Sequence, residues 1–291
     1  GDEVERSSSD AARRKRVVVV TPWVPNRTRP RSLRLLTMLS EVYDLHLVCV
    51  AWSTDEAKSA TALSFPVTTV RMSRWGGAIG ALNALVTGKS LQQGFVSGSK
   101  VGRALRGVAE TVQPDIFYFN VARSAHLSAW IGHLPGDRVI DLDELRSEYY
   151  RQMRVASRNP LWRVIARVEA KRLAQAEESI RREFDRVLFS SPCDVATWPE
   201  KAVLVRSPTH LSSRSGPGLE RDHVNRSIVF VGRLGYRANF EAIAWFVKKV
   251  WPQVHAEFPS LRLDIVGEKP GLAVRSLESH NVRVTGRVPE V

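Results

Sequence analysis

The stretch Ser227-Ile-Val-Phe-Val-Gly232-Arg233-Leu234-Gly235-Tyr236-Arg237-Ala238-Asn239 decides how the chain is read. Ile228 to Val231 is a short β-rich apolar run, which predicts a strand buried on both faces. Gly232 and Gly235 allow a sharp turn and a close approach of a ligand to the backbone. Asn239 is the expected N-cap of a helix carrying Ile243, Phe246, Val247 and Val250 at helical spacing. A strand, glycine turn and helix in this order aim backbone N–H groups at one spot and favour a phosphate there. Arg233 and Arg237 add charge to that spot. Taken alone, the same turn would also suit any α/β unit.

Outward from this stretch, strands and helices alternate. Val17–Val20, Leu45–Val50, Val67–Val70, Asp115–Phe119 and Val187–Ser190 read as strands. Leu33, Leu36 and Leu39, then Trp75–Val86 and Ser99–Val112, read as helices between them. Asn159-Pro160 starts a further helix with an apolar stripe from Leu161 through Val164, Val168 and Leu173 to Phe184. Its Glu177–Arg181 and Glu178–Arg182 pairs read as a solvated outer face. After the opening stretch, Pro252 ends or kinks its helix. Leu261–Val266 and Val282–Thr285 are two more strands, each closed by a glycine.

The fold class is therefore α/β with parallel sheets. Residues 1–15 are a polar, disordered lead and 16–205 a first domain. Residues 206–225, rich in Ser, Gly and Pro, are a linker, and 226–291 are an incomplete second domain. The chain begins with Gly1 and breaks off after a strand, so both ends read as truncated.

Composition narrows the partners. The 291 residues carry 43 Lys and Arg against 30 Asp and Glu, a formal charge of +13. That balance points to an anion such as a nucleotide or an anionic membrane surface. The excess is spread along the chain without aromatic residues interleaved, so nucleic acid is not read as a partner. Trp75–Val86, beside Arg71 and Arg74, is read either as a packed helix or as a peripheral contact with an anionic membrane. Cys49 and Cys193 read as two buried thiols of a reducing compartment. No membrane span or signal peptide is visible in the sequence, and no His or Cys cluster has metal spacing.

The carboxylate pair Asp141-x-Asp143 stands at a strand end. It could hold a divalent ion on a diphosphate, serve a phosphatase as nucleophile and acid, or act as base or sugar contact in a cleft. It could also merely cap the next segment. Strand alternation puts both aspartates on one side.

The order of these segments resembles the family-4 glycosyltransferases of the GT-B fold, in the branch with exopolysaccharide sugar transferases. The resemblance rests on the opening stretch, on Leu263-Asp-Ile-Val-Gly267 and on Val282-x-Val-Thr-Gly286-Arg-Val. It extends to Thr21-Pro22 through Arg34, Lys89-Ser-Leu-Gln to Phe95, Val121-Ala-Arg123, Asp141-Leu-Asp143 with Ser147, and Glu169-Ala-x-Arg172-Leu with Glu177.

The resemblance implies two Rossmann-like domains facing across a cleft. It implies transfer of a sugar from a nucleoside diphosphate sugar to an acceptor hydroxyl, without metal or further cofactor. Gly232, Arg233, Arg237 and Asn239 would hold the donor diphosphate, and Asp143 would be catalytic. Arg27, Arg31, Asn120, Arg123 and Asp141 would face the acceptor, a glycan or lipid-linked glycan of cell-surface polysaccharide synthesis. The protein would work in the cytoplasm or at the inner face of the membrane. The family's Glu-x7-Glu element would lie beyond Val291. A non-catalytic nucleotide-sugar or membrane-surface binder stays open as the alternative, as does an Asp-x-Asp phosphatase.

Overall fold

The structure, a computed structural model, describes residues 13–87, 94, 96, 99–157, 159–208, 227–268, 270–286 and 288. The Lys89–Phe95 motif, the lead before Arg13 and the linker from 209 to 225 thus lie mostly outside the described residues. The chain divides into two compact units, residues 1–210 and 211–291.

The first unit is built on a seven-stranded sheet. Its strands are β1 (Arg16–Thr21), β2 (Asp44–Ala51), β3 (Val67–Arg71), β4 (Ile116–Asn120), β5 (Asp137–Asp143), β6 (Arg186–Phe189) and β7 (Ala202–Leu204). The order is β3-β2-β1-β4-β5-β6-β7, and every pairing is parallel. The order reverses between β1 and β4. At such a switch point the loops leave in opposite directions and open a crevice beyond the strands' carboxyl ends.

Helices α1 (Pro30–Val42), α2 (Thr54–Ala60), α3 (Arg74–Thr87), α4 (Ser99–Val112), α5 (Arg146–Ala156), α6 (Pro160–Glu183) and α7 (Pro192–Thr197) connect these strands, with a 3-10 segment at Ala122–Ile131. Val18, Val20, Val48 and Val50 lie in one apolar cluster, and Val17, Val19, Leu45, Leu47 and Cys49 in another. Alternate residues of β1 and β2 thus feed cores on opposite faces of the sheet.

The apolar stripe expected along α6 is core only in its second half. Leu173, Ile180 and the following Phe184 are buried, whereas Leu161, Val164 and Val168 are exposed. Asn159 caps α6 as expected, accepting from Leu161 N at 2.9 Å. Glu177 does not pair with Arg181 on a solvated face. It is buried, and Ser147 donates to it through its N–H (2.9 Å) and its hydroxyl (2.5 Å). Arg181 pairs instead with Glu178 and Glu200, and Arg182 with Glu178 as expected. Cys49 is buried, its thiol pushed up to about 11 first by burial, but Cys193 is exposed.

The second unit has a parallel three-stranded sheet in the order β10-β9-β8, made of Val282–Gly286, Arg262–Val266 and Ser227–Val231. Central β9 is buried from Leu263 to Val266. Strand β8 is not buried on both faces: Val229 and Val231 are 48% and 54% exposed. A run of β-branched residues cannot distinguish a central strand from an edge strand, and among the described residues β8 stands at the edge of its sheet.

The helix after β8 runs as α8 (Arg237–Trp245), one π turn (Phe246–Val250) and α9 (Trp251–Glu257), with the short α10 at Leu272–Arg275 further on. Pro252 therefore does not end the helix. It stands in the first turn of α9, and the π turn before it absorbs the lost N–H.

Candidate functional site

Three strand ends of the first unit meet at the switch point. After β1, Thr21 Oγ donates to Trp23 O at 2.5 Å, and the chain runs through Pro25 to α1. Helix α1 starts with Pro30 after Arg29, with no side-chain cap and no acidic residue in its first turn. After β4, Val121 adopts φ 60° and ψ 157°, a conformation that strains a β-branched residue. Its N–H still donates to Asp141 O at 2.7 Å.

At the end of β5, Asp143 has φ 66° and the register with β6 shifts between Asp141 and Asp143. This bulge breaks the alternation that would put both aspartates on one side. The Asp141 side chain is fully buried, while that of Asp143 is 45% exposed.

Asp141 is completely satisfied. Its Oδ1 accepts from Arg31 Nη2 (2.9 Å) and Asp143 N (3.1 Å). Its Oδ2 accepts from Arg31 Nε (3.1 Å) and the Tyr118 hydroxyl (3.0 Å). A buried carboxylate requires such partners. Burial pushes the Asp141 carboxyl up, and the Arg31 guanidinium partly offsets it. Burial works against the charge on Arg31, but the Asp141 bonds outweigh it and raise the guanidinium. The two groups form one charged, two-pronged pair. Arg31 also donates to Val205 O (2.8 Å) and approaches Asp143 Oδ1 (3.3 Å). Beside it, the Ser32 hydroxyl donates to Asn120 Oδ1 at 3.1 Å.

Arg31, Ser32, Asn120 and Asp143 border a cavity of about 420 Å³, the scale of a small-molecule site. It is lined by Trp23, Arg29, Arg31, Arg34, Asn120, Asp143 and Arg146 among others. Arg123 lies beside it, its guanidinium 5.5 Å from the Trp23 ring, while that of Arg29 is 4.6 Å away. Arg27 is exposed on the loop and does not line the cavity. Of the first-unit residues expected at a site, Asp143, Arg31, Asn120 and Arg123 thus come together. Asp141 supports them from below and does not cap the following helix, whose N-cap is Leu145. Trp23, Arg29, Arg34, Tyr118 and Arg146 were not singled out in the sequence. The alternate arginines Arg27, Arg29 and Arg31, followed by Arg34, were the available signal.

In the second unit, Gly232 and Gly267 end neighbouring strands. A Cβ on Gly267 would fall 1.8 Å from Gly232 O, and one on Gly232 would fall 2.9 Å from Asn239 Nδ2. The space a side chain would take at Gly232 is therefore filled by Asn239. Asn239 is not the N-cap, which is Tyr236. It sits in the first turn of α8 and donates to Arg233 O at 3.1 Å, pinning the turn. The Arg233 side chain is 57% exposed and approaches Glu268 at 3.6 Å, while Arg237 pairs with Glu241 at 2.6 Å. Among the described residues, no group of three His, Cys, Asp or Glu side chains could hold a metal ion. No described helix is long and apolar enough to cross a membrane.

Comparison with known proteins agrees with this layout. Residues 225–291 match the family described as glycosyl transferases group 1. Sucrose-phosphate synthase from Thermosynechococcus elongatus superposes with TM-score 0.57 at 14% identity, over 94% of this chain and 71% of that one. The E. coli trehalose-6-phosphate structure bound with UDP-2-fluoro glucose gives 0.53 at 10%, over 94% and 74%. A protein assigned as a UDP-N-acetylglucosamine 2-epimerase from Listeria monocytogenes gives 0.51 at 12%, over 94% and 69%. No curated protein matches the chain in sequence. The chain has the GT-B fold, and its second unit carries the match to a group 1 glycosyl transferase domain.

Proposed function

We propose that the protein is a glycosyltransferase that takes a sugar from a nucleoside diphosphate sugar, in the family-4, exopolysaccharide-type branch that its motifs resemble. The observation that carries this reading is the family match over 225–291, which includes the β8–Gly232–Arg233–α8 turn. The turn and Arg233 take the donor diphosphate, and Arg237 and Asn239 support it. Released from Glu268, the Arg233 guanidinium can make paired bonds to phosphate oxygens.

The first unit binds the acceptor. In the reaction, an acceptor hydroxyl oxygen bonds to the anomeric carbon, the bond from that carbon to the diphosphate breaks, and the nucleoside diphosphate leaves. The acceptor proton passes to Asp143, the exposed carboxylate of the site. Cationic groups take the charge on the leaving diphosphate, so no metal is required. The acceptor is a glycan or lipid-linked glycan, placing the protein in the cytoplasm or at the inner face of the membrane. Trp75 and Ile79, both exposed on α3, are available for peripheral contact there.

A second reading has support from one specific likeness. The same fold serves a protein assigned as a nucleotide-sugar epimerase. The deciding experiment incubates the protein, with any further C-terminal sequence its gene encodes, with a panel of nucleoside diphosphate sugars, with and without glycan acceptors. Nucleoside diphosphate release that depends on acceptor supports transfer. Conversion of the donor sugar without an acceptor supports epimerisation, and binding without turnover leaves a non-catalytic binder.

A further inference from the structure

We infer that the arginine-lined cavity of the first unit binds a phosphoryl group, carried by the acceptor if the transferase reading holds. Twelve residues line the cavity, and they include four arginines, Arg29, Arg31, Arg34 and Arg146, against one carboxylate, Asp143. That carboxylate already leans on Arg31, at 3.3 Å. Arg31 is further held by the buried Asp141, and Arg146 by Glu144 at 2.8 Å. Arg34 donates to the neutral backbone carbonyl of Pro208 at 2.9 Å, and no ion pair holds it among the described residues.

A fifth guanidinium, that of Arg123, shares the Trp23 ring with Arg29. Its pKa is lowered to about 10, first by burial and then by the nearness of Arg146 and Arg29. The guanidinium groups of Arg123, Arg146 and Arg29 are thus close enough to influence one another. The excess of guanidinium over carboxylate in the cavity lining favours a bound dianion.

The charge count decides the ligand class. A neutral sugar offers no charge to a lining of four arginines and one carboxylate, and a carboxylate brings one charge and two oxygens. A phosphoryl group brings up to two charges and three oxygens, matching several forked donors at once. A cavity of 420 Å³ has room for a phosphate together with a sugar ring. Asp143 lines the same cavity and is there to accept from hydroxyls of the sugar ring.

The phosphoryl group could belong to a soluble sugar phosphate or to a lipid phosphate. Calorimetry on the whole chain with glucose 6-phosphate, inorganic phosphate and glucose tests the first source. Sedimentation with phosphatidylcholine vesicles, with and without dodecyl phosphate, tests the second. Glucose 6-phosphate should bind at least about tenfold more tightly than glucose, or dodecyl phosphate should recruit the chain to vesicles. Arg29→Gln and Arg34→Gln, each checked for an unchanged melting temperature, should each weaken the phosphate probe about tenfold. Binding of a nucleoside diphosphate should respond the other way, failing in Arg233→Ala and holding in Arg29→Gln.

Equal binding of glucose and glucose 6-phosphate, with no vesicle recruitment, overturns the site. So does phosphate-probe binding that survives Arg29→Gln and Arg34→Gln together. If no nucleoside diphosphate binds while the phosphate probe does, the transferase reading falls and this site stands.

Discussion

Arg31 and Asp141, 110 positions apart, meet in a two-pronged ion pair, with Nη2 to Oδ1 at 2.9 Å and Nε to Oδ2 at 3.1 Å. The pair ties the start of α1 to the end of β5. Removing one partner leaves the other charge uncompensated, so Asp141→Ala should cost about 3 kcal/mol of stability. The double change Arg31→Met with Asp141→Leu should cost clearly less than the two single changes added. Urea titrations of the three variants read this directly. Additive losses would show that the contact contributes little coupling.

Val121 should tolerate glycine. At φ 60° a valine is strained by roughly 1–3 kcal/mol, whereas glycine adopts the conformation freely. Val121→Gly should therefore leave the denaturation midpoint unchanged or raise it, although the same change in a strand interior lowers it. A clear drop in the midpoint would mean that the valine's packing outweighs its backbone strain.

Gly267 should not tolerate alanine. The added Cβ would meet the carbonyl oxygen of Gly232 at 1.8 Å, and that atom belongs to backbone. The ends of β8 and β9 would have to separate, at a cost of about 1–3 kcal/mol. Hydrogen exchange should then show faster opening of the Gly232 N–H to Val266 O bond, which is 3.0 Å in the intact chain. Unchanged exchange at Gly232 would count against this account.

Arg233→Ala should weaken nucleoside diphosphate binding by about 2–3 kcal/mol, the scale of a lost charged hydrogen-bond pair. Binding of the free nucleoside should hardly change, since the missing partner is the diphosphate. Calorimetry with both ligands decides the matter. Equal losses, or none, would leave Arg233 as a surface arginine beside Glu268.

Glu177 gives a pH signature. Burial pushes its carboxyl above the ordinary value, against the Ser147 hydroxyl and N–H that favour the charge. With the folded value raised, its contribution is fully present below the unfolded value and is lost as pH rises through the folded one. Relative to Glu177→Gln, the wild-type chain should therefore do best in acid and lose ground just above the usual glutamate range. Denaturant titrations between about pH 4 and 7 should show that trend. A difference that grows with pH would reverse the sign and overturn the assignment.

Local chemistry was enough for much of this protein. The valines of Val17–Val20, the alternation of apolar runs with helical stripes, and the cap at Asn159-Pro160 each specify their own backbone, because burial, period and capping act within a few residues. These features define an α/β chain with parallel strands. The sequence also placed Asp141 and Asp143 at a strand end and Gly232-Arg233 in a turn after another.

Tertiary structure decided what those residues do. Whether β8 is central or an edge depends on which strands pair with it, and alternation within β8 carries no such information. The opposite fates of Asp141 and Asp143 follow from a bulge against β6, where Asp141 pairs with Leu188 and Asp143 with Phe189. That is a property of two strands together. Likewise, Arg29, Arg34 and Arg146 line one cavity only because the sheet order brings the segments after β1 and β5 together. Charge acts through distance, and only the folded chain sets the distances between residues so far apart in sequence.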